Sequence, residues 1–198
     1  MTDSLTLLIV GVSAFVATNI DDLFVLMLFF SSSNYHKWQV VIGQYFGIGS
    51  LVAVSTLGSL LALIVPNYII GLLGLVPITI GVIRLVHMRK RNNESEEIKT
   101  QVRKWHNHLS ILTVAGVTFS NGGDNIGIYT PLFAKYNTGF EVGFIITIFM
   151  IMTAIWCVIA YYLVRHPMIA SRMKKTGHIV FPLVLIGFGI YIMVTGFL

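Results

Sequence analysis

Thr18-Asn19-Ile20-Asp21-Asp22 interrupts an apolar run covering roughly residues 5–30, and Ser120-Asn121-Gly122-Gly123-Asp124-Asn125 interrupts another covering roughly 109–134. Each run exceeds the ~20 residues that a helix needs to cross ~30 Å of hydrocarbon. The two patches therefore place three carboxylates inside membrane-length segments. A charged carboxylate at the centre of a span costs roughly 2.5–3.5 kcal/mol on insertion scales. The three together would cost on the order of 8–10 kcal/mol if additive. A folded state stable by only about 5–15 kcal/mol needs compensation for such a load.

The rest of the chain matches this reading. Of 198 residues, 56% are hydrophobic and only 11% charged, and mean hydropathy is +0.83. Soluble domains carry about 25% charged residues, so a water-soluble globule is excluded. Apolar segments recur at roughly 38–65, 68–88, 140–163 and 178–198, making six in all. None alternates at barrel spacing, which leaves helices as the spanning element. The expected fold class is an all-α membrane protein of six transmembrane helices. Met1-Thr2-Asp3-Ser4 lacks a basic leader region, so the first run reads as a retained span.

Charge sets the expected orientation. With six spans, the first, third and fifth loops share one side, and those loops and their edges hold twelve of the thirteen Lys and Arg residues. Lys135 alone lies opposite. The positive-inside rule then puts the basic side in the cytoplasm and both termini outside. The net charge of +5 thus reports topology and gives no reason to invoke nucleic acid as a partner. The lipid bilayer is the expected partner. The sequence permits a homo-oligomer without specifying one.

The two patches also expose an internal repeat. Aligning Asp21 with Asp124 pairs Asp22 with Asn125 and Phe30 with Phe133. Pro77 and Pro182 fall at a similar offset, each followed by a glycine, Gly81 and Gly187. The expected organisation is a first three-helix repeat over 1–88, a cytoplasmic linker over 89–108 and a second three-helix repeat over 109–198. Three spans per half is an odd number, so the repeats are inverted. Transporters of this architecture bind substrate near the midplane, between the repeats.

No intramembrane Lys or Arg lies deep enough to neutralise the aspartates. Arg84 lies near a span end and can snorkel. Protons, hydrogen bonds or a bound cation remain. An empty site holding protons would release them as a cation enters, a physical basis for proton-coupled exchange. Gly122-Gly123 weakens the fourth helix, and Pro131 removes a backbone bond one to two turns on. Broken helices present carbonyl oxygens to cations. Asp21 and Asp22 point about 100° apart on a regular helix, so Asp21 and Asp124 are expected to form the inward pair. Asp22 and Asn125 would add ligands or hydrogen bonds across helices. Asn19 and Asn121 supply neutral oxygens. Such an all-oxygen set suits a divalent cation. The plainer alternative is a pair of protonated carboxyls holding helices together.

Other residues carry weaker signals. Cys157 is the single cysteine, so no internal disulfide forms; a small packing residue is the simpler reading than a soft metal ligand. His36, His87, His106, His108, His166 and His178 lie at cytoplasmic ends or loops. His106-Asn107-His108 could capture metal, but solvated histidines are the simpler reading. Gln44 and Tyr45 fit either a polar path or helix–helix hydrogen bonding. No phosphate-binding loop of a primary pump is present.

At Ala17-Thr18-Asn19-Ile20-Asp21-Asp22 and Phe119-Ser120-Asn121-Gly122-Gly123-Asp124-Asn125-Ile126 the chain resembles the cadmium resistance transporters of Gram-positive bacteria, within the lysine-exporter superfamily. The resemblance extends over essentially the whole chain. It implies a multi-pass protein of the bacterial plasma membrane that exports Cd²⁺, with no cofactor beyond the transported metal. It implies Asn19, Asp21, Asp22, Asn121, Asp124 and Asn125 as the metal residues. On donor chemistry alone, oxygen ligands fit Mn²⁺ or Ca²⁺ at least as well, since Cd²⁺ is softer. Export of Mn²⁺, Zn²⁺ or a basic amino acid is the alternative of the same class. Sequestration without transport is another. An intramembrane aspartyl protease is the enzymatic one, because two aspartates on different spans can share a proton.

Overall fold

The computed structural model describes residues 3–32, 34–62, 72, 75–87, 110–166, 183, 186–187 and 189–194. Among these, every regular element is helical. The helices are α1 (Ser4–Ser31), α2 (Lys37–Ala62), α3 (Leu75–His87), α4 (Ser110–Asn121), α5 (Gly123–Lys135) and α6 (Gly139–Val164). Residues 186–187 and 189–194 are helical as well. Three helices, α1, α2 and α6, are long and apolar enough to cross a membrane, while α4 is a shorter apolar helix. The linker 89–108 and Pro182 lie outside the described residues.

Local chemistry explains where the helices begin and end. At α6, Thr138 and Glu141 form a reciprocal cap: Thr138 Oγ1 accepts from the Glu141 amide at 3.3 Å, and Glu141 Oε2 accepts from the Thr138 amide at 3.4 Å. That arrangement satisfies two otherwise orphan donors. At the other end of α1, Ser32 is extended and donates back to Phe29 O at 3.2 Å. The fourth expected span is not continuous. Gly122 is a turn between α4 and α5, and its amide bonds back only three residues, to Phe119 O at 3.2 Å. Pro131 is accommodated inside α5.

Two helix pairs organise the fold. α1 packs along α6. Gly11 lies against Ile148, the Asn19 carbonyl meets Trp156, and Phe30 meets Tyr161, so the two helices run parallel. α2 packs along α4 and α5. Here Gly43 lies against Val114, Gly47 against Thr118, Leu51 against Gly122 and Gly58 against Thr130, again in parallel. A Cβ at Gly43 or Gly47 would come within 2.6 Å of Val114 or Thr118. Gly43-Gln44-Tyr45-Phe46-Gly47 is thus a Gly-x-x-x-Gly contact that lets two backbones approach closely.

Between the pairs lies an aromatic core. The Phe149 ring contacts Phe15 (centroids 5.6 Å apart) and Tyr129 (4.5 Å), and Phe15 also meets Trp156 edge-on at 5.5 Å. The opposite helix faces carry Leu5, Ile9, Phe46, Leu57, Ile151 and Val158, all exposed. An apolar exterior around a core containing polar groups is the arrangement expected of helices solvated by lipid.

Candidate functional site

The polar patches of α1 and of the α4–α5 break meet beside the aromatic core. Asp22 is only 2% exposed. Its Oδ1 accepts from Asn121 Nδ2 at 2.9 Å, and its Oδ2 accepts from Gln44 Nε2 at 3.4 Å. Gln44 is in turn oriented by Thr118, whose hydroxyl donates to Gln44 Oε1 at 2.6 Å. One buried carboxylate is thereby gripped by α1, α2 and α4. Asp21 and Asp124 both lie near enough to act electrostatically on it.

A second layer fixes the geometry. Asn19 is fully buried, and its Nδ2 donates to Phe15 O at 2.9 Å and to the Tyr129 hydroxyl at 2.7 Å. Tyr129 also pairs with Thr18 Oγ1 at 2.9 Å. Trp156 Nε1 donates to the Asn19 backbone carbonyl at 2.7 Å, tying α6 to the same turn of α1. The amides of Asn19 and Asn125 meet at 3.3 Å. With its amide reversed, Asn125 would instead donate to Thr18 O at 3.1 Å and to Asp124 Oδ1 at 3.3 Å.

The six residues singled out in the sequence are therefore not equivalent in space. Asp22 bonds to Asn121 and Asn19 to Asn125, as two neighbouring networks on the same stretch of α1. Asp124 is half-buried in the first turn of α5, where its Oδ1 accepts from the Asn125 amide at 3.1 Å. A helix N-terminus favours an anion at that position. Asp21 is also half-buried. Of the adjacent aspartates, then, Asp22 is the enclosed one, where Asp21 was expected. The reason is helical phase: Asn19 and Asp22 are three residues apart, on the face that α1 turns toward α4 and α5.

Gln44, which the sequence left between a polar path and helix–helix hydrogen bonding, belongs to the site, and so do Thr118 and Tyr129, which carried little sequence signal. Gln44 is the amide in the Gly-x-x-x-Gly contact, and Tyr129 follows Asn125 by four residues, on the same helical face. Cys157 is buried among apolar side chains of the core. Among the described residues no group of three or more His, Cys, Asp or Glu side chains is close enough to hold a metal ion. The enclosed donors are instead one carboxylate and several side-chain amides.

Residues 15–196 match the family described as cadmium resistance transporter. The chain belongs to that family. Neither curated proteins nor solved structures yield a match. As a cadmium resistance transporter the protein is a multi-pass membrane transporter and not an enzyme, which removes the protease reading of the paired aspartates. The polar cluster falls within the matched residues, at the meeting point of five helices.

Proposed function

We propose that this transporter exports a divalent metal cation, Cd²⁺ by family, from the cytoplasm across the plasma membrane through the site around Asp22. The observation that carries the proposal is a buried carboxylate held by side-chain amides from two other helices, with Asp21 and Asp124 in electrostatic range. Asp22 supplies the negative charge that attracts the cation. Asn19, Asn121, Asn125 and Gln44 each carry an amide oxygen that can join the Asp22 carboxylate around a divalent ion, while Asp21 and Asp124 add negative charge from further off. In the arrangement described, Asn121 and Gln44 turn their N–H groups toward Asp22. A cation arriving there would replace those donors and favour rotation of the amides toward oxygen ligation. When it leaves, amides and protons resume their places, which gives a route to proton coupling.

The inverted repeat is part of the same proposal. α2 and α4 run parallel, so the chain has to return across the membrane between them, and residues 68–88 are the segment available for that crossing. Exchanging the two halves turns the α1–α6 pair into the pair formed by α4–α5 with α2. α2 and α6 also have equal lengths of 26 residues. Burial supports the register that aligns Asp21 with Asp124: Ala14 and Val117, Phe15 and Thr118, Asp22 and Asn125, and Phe29 and Leu132 are all buried pairs. The three-helix repeats 1–88 and 109–198 and the linker 89–108 follow from this scheme, and the distribution of basic residues orients it with both termini outside.

The test is metal flux into proteoliposomes by Asp22→Asn and Asp124→Asn variants that retain the far-ultraviolet spectrum of the folded protein. Both should lose Cd²⁺ flux. Full flux in both would reject the site. Competition among Cd²⁺, Zn²⁺, Mn²⁺ and lysine separates the metal reading from export of a basic amino acid.

A further inference from the structure

At the end of the bundle where α1 and α6 finish and α2 begins, two cations converge on one neutral oxygen. Lys37 Nζ donates to the Tyr161 hydroxyl oxygen at 2.7 Å, and Arg165 donates to the same oxygen at 2.6 Å. The Lys37 ammonium lies 4.6 Å and the Arg165 guanidinium 4.9 Å from the centroid of the Tyr161 ring. Tyr161 is itself held by the edge-on contact with Phe30 at 5.8 Å. Among the described residues no carboxylate pairs with either cation. Two like charges brought to one phenol oxygen repel each other, and an aromatic face offsets only part of that repulsion. Lys37 and Arg165 are both exposed, so an anion can reach them from outside the bundle.

The surroundings give the depth of this cluster. Trp38 is 70% exposed beside Lys37, and Tyr162 is 59% exposed beside Tyr161. Exposed Trp and Tyr at helix ends mark the level of lipid headgroups. A phosphate group has the charge and the acceptor oxygens to bridge a guanidinium and an ammonium at once. We infer that Lys37, Arg165 and the Tyr161 hydroxyl form a binding site for one phosphate group. The aromatic rim makes the headgroup of an anionic phospholipid its natural source, with soluble phosphate as the other. With phosphate seated, the Tyr161 hydroxyl donates to it and both cations turn to its oxygens. The site would then pin the ends of α2 and α6 to the bilayer surface. It shares no residue with the Asp22 cluster, and its test does not depend on transport.

The experiment is native mass spectrometry of the full chain in detergent. The protein is titrated in separate arms with phosphatidylglycerol, with phosphatidylcholine and with inorganic phosphate. Wild type should retain one phosphatidylglycerol in preference to phosphatidylcholine. The Lys37→Gln/Arg165→Gln double variant should bind about tenfold more weakly or worse, and the Lys37→Arg/Arg165→Lys variant should keep its affinity. Capture of inorganic phosphate but not lipid, lost in the Gln variant, would support the site and assign it to the soluble ion. Equal binding by wild type and the Gln variant in every arm would overturn it. Asp22→Asn should bind lipid as wild type does even where its flux is gone.

Discussion

Asp22 shows how one side chain's helical phase decides its role. Its neighbour Asp21 has the same charge but is half-buried, whereas Asp22 points where Asn121 and Gln44 can reach it. Asp22→Asn keeps the shape and removes the charge, so Cd²⁺ flux should fall at least about tenfold, the factor that corresponds to ~1.4 kcal/mol of lost interaction with the ion. Asp21→Asn should lose less, and side-by-side flux assays would reveal the order; an equal or larger loss at Asp21 would contradict the ranking. Thr118 acts through Gln44. Thr118→Val removes the hydroxyl that holds Oε1 and leaves that buried oxygen without its partner, at a cost of about 1–3 kcal/mol. Thermal unfolding in detergent should register this as a lower midpoint, while Thr118→Ser should stay close to wild type. The patches themselves were legible in the sequence because carboxylates in apolar runs are conspicuous. The choice between Asp21 and Asp22 was not, because composition does not say which helical face meets the partner. An argument from phase, with Thr18, Asn19 and Asp22 on one side, would have indicated it.

At the scale of elements, the break at Gly122 matters most. The Gly122-Gly123 pair announced a weak point, and the chain does part there into α4 and α5. What the sequence withheld is the steric reason: a Cβ on Gly122 would run into the Leu51 side chain, which is fully buried on α2. Gly122→Ala should therefore destabilise the protein by about 1–3 kcal/mol, the usual cost of overpacking. Trimming the neighbour in a Gly122→Ala/Leu51→Ala double variant should recover part of that loss relative to the two single changes. Gly116 is the control, because a Cβ there meets nothing within 4 Å; Gly116→Ala should be neutral or slightly stabilising. Denaturation curves for the four variants decide the matter, and simple additivity would show that Gly122 and Leu51 do not share a contact. Gly43 and Gly47 do similar work one and two turns earlier, where the glycine spacing was readable but the partner helix was not.

At the scale of the molecule, the proposed orientation rests on charge, and the helix packing says which ends share a side. The basic residues gather on one side of the six-span scheme, and the parallel α1–α6 and α2–α4 pairs bring the end of α1, the start of α2 and the end of α6 to a common end of the bundle. Asn34 lies at that end, between α1 and α2, and Asn137 lies at the other, between α5 and α6; both are exposed. Cys157 is buried and is the chain's single cysteine, so Cys157→Ala gives a background free of thiols with a small change in volume. Introducing Asn34→Cys or Asn137→Cys into that background makes each end separately addressable. In intact cells a membrane-impermeant maleimide should label the Asn137→Cys protein and leave the Asn34→Cys protein untouched. Permeabilised cells should label both. The reverse pattern would turn the bundle over and place the Lys37–Arg165 end outside. Labelling of both positions from outside would mean that α1 and α6 do not end on the cytoplasmic side, and the six-span inverted repeat would fail with them.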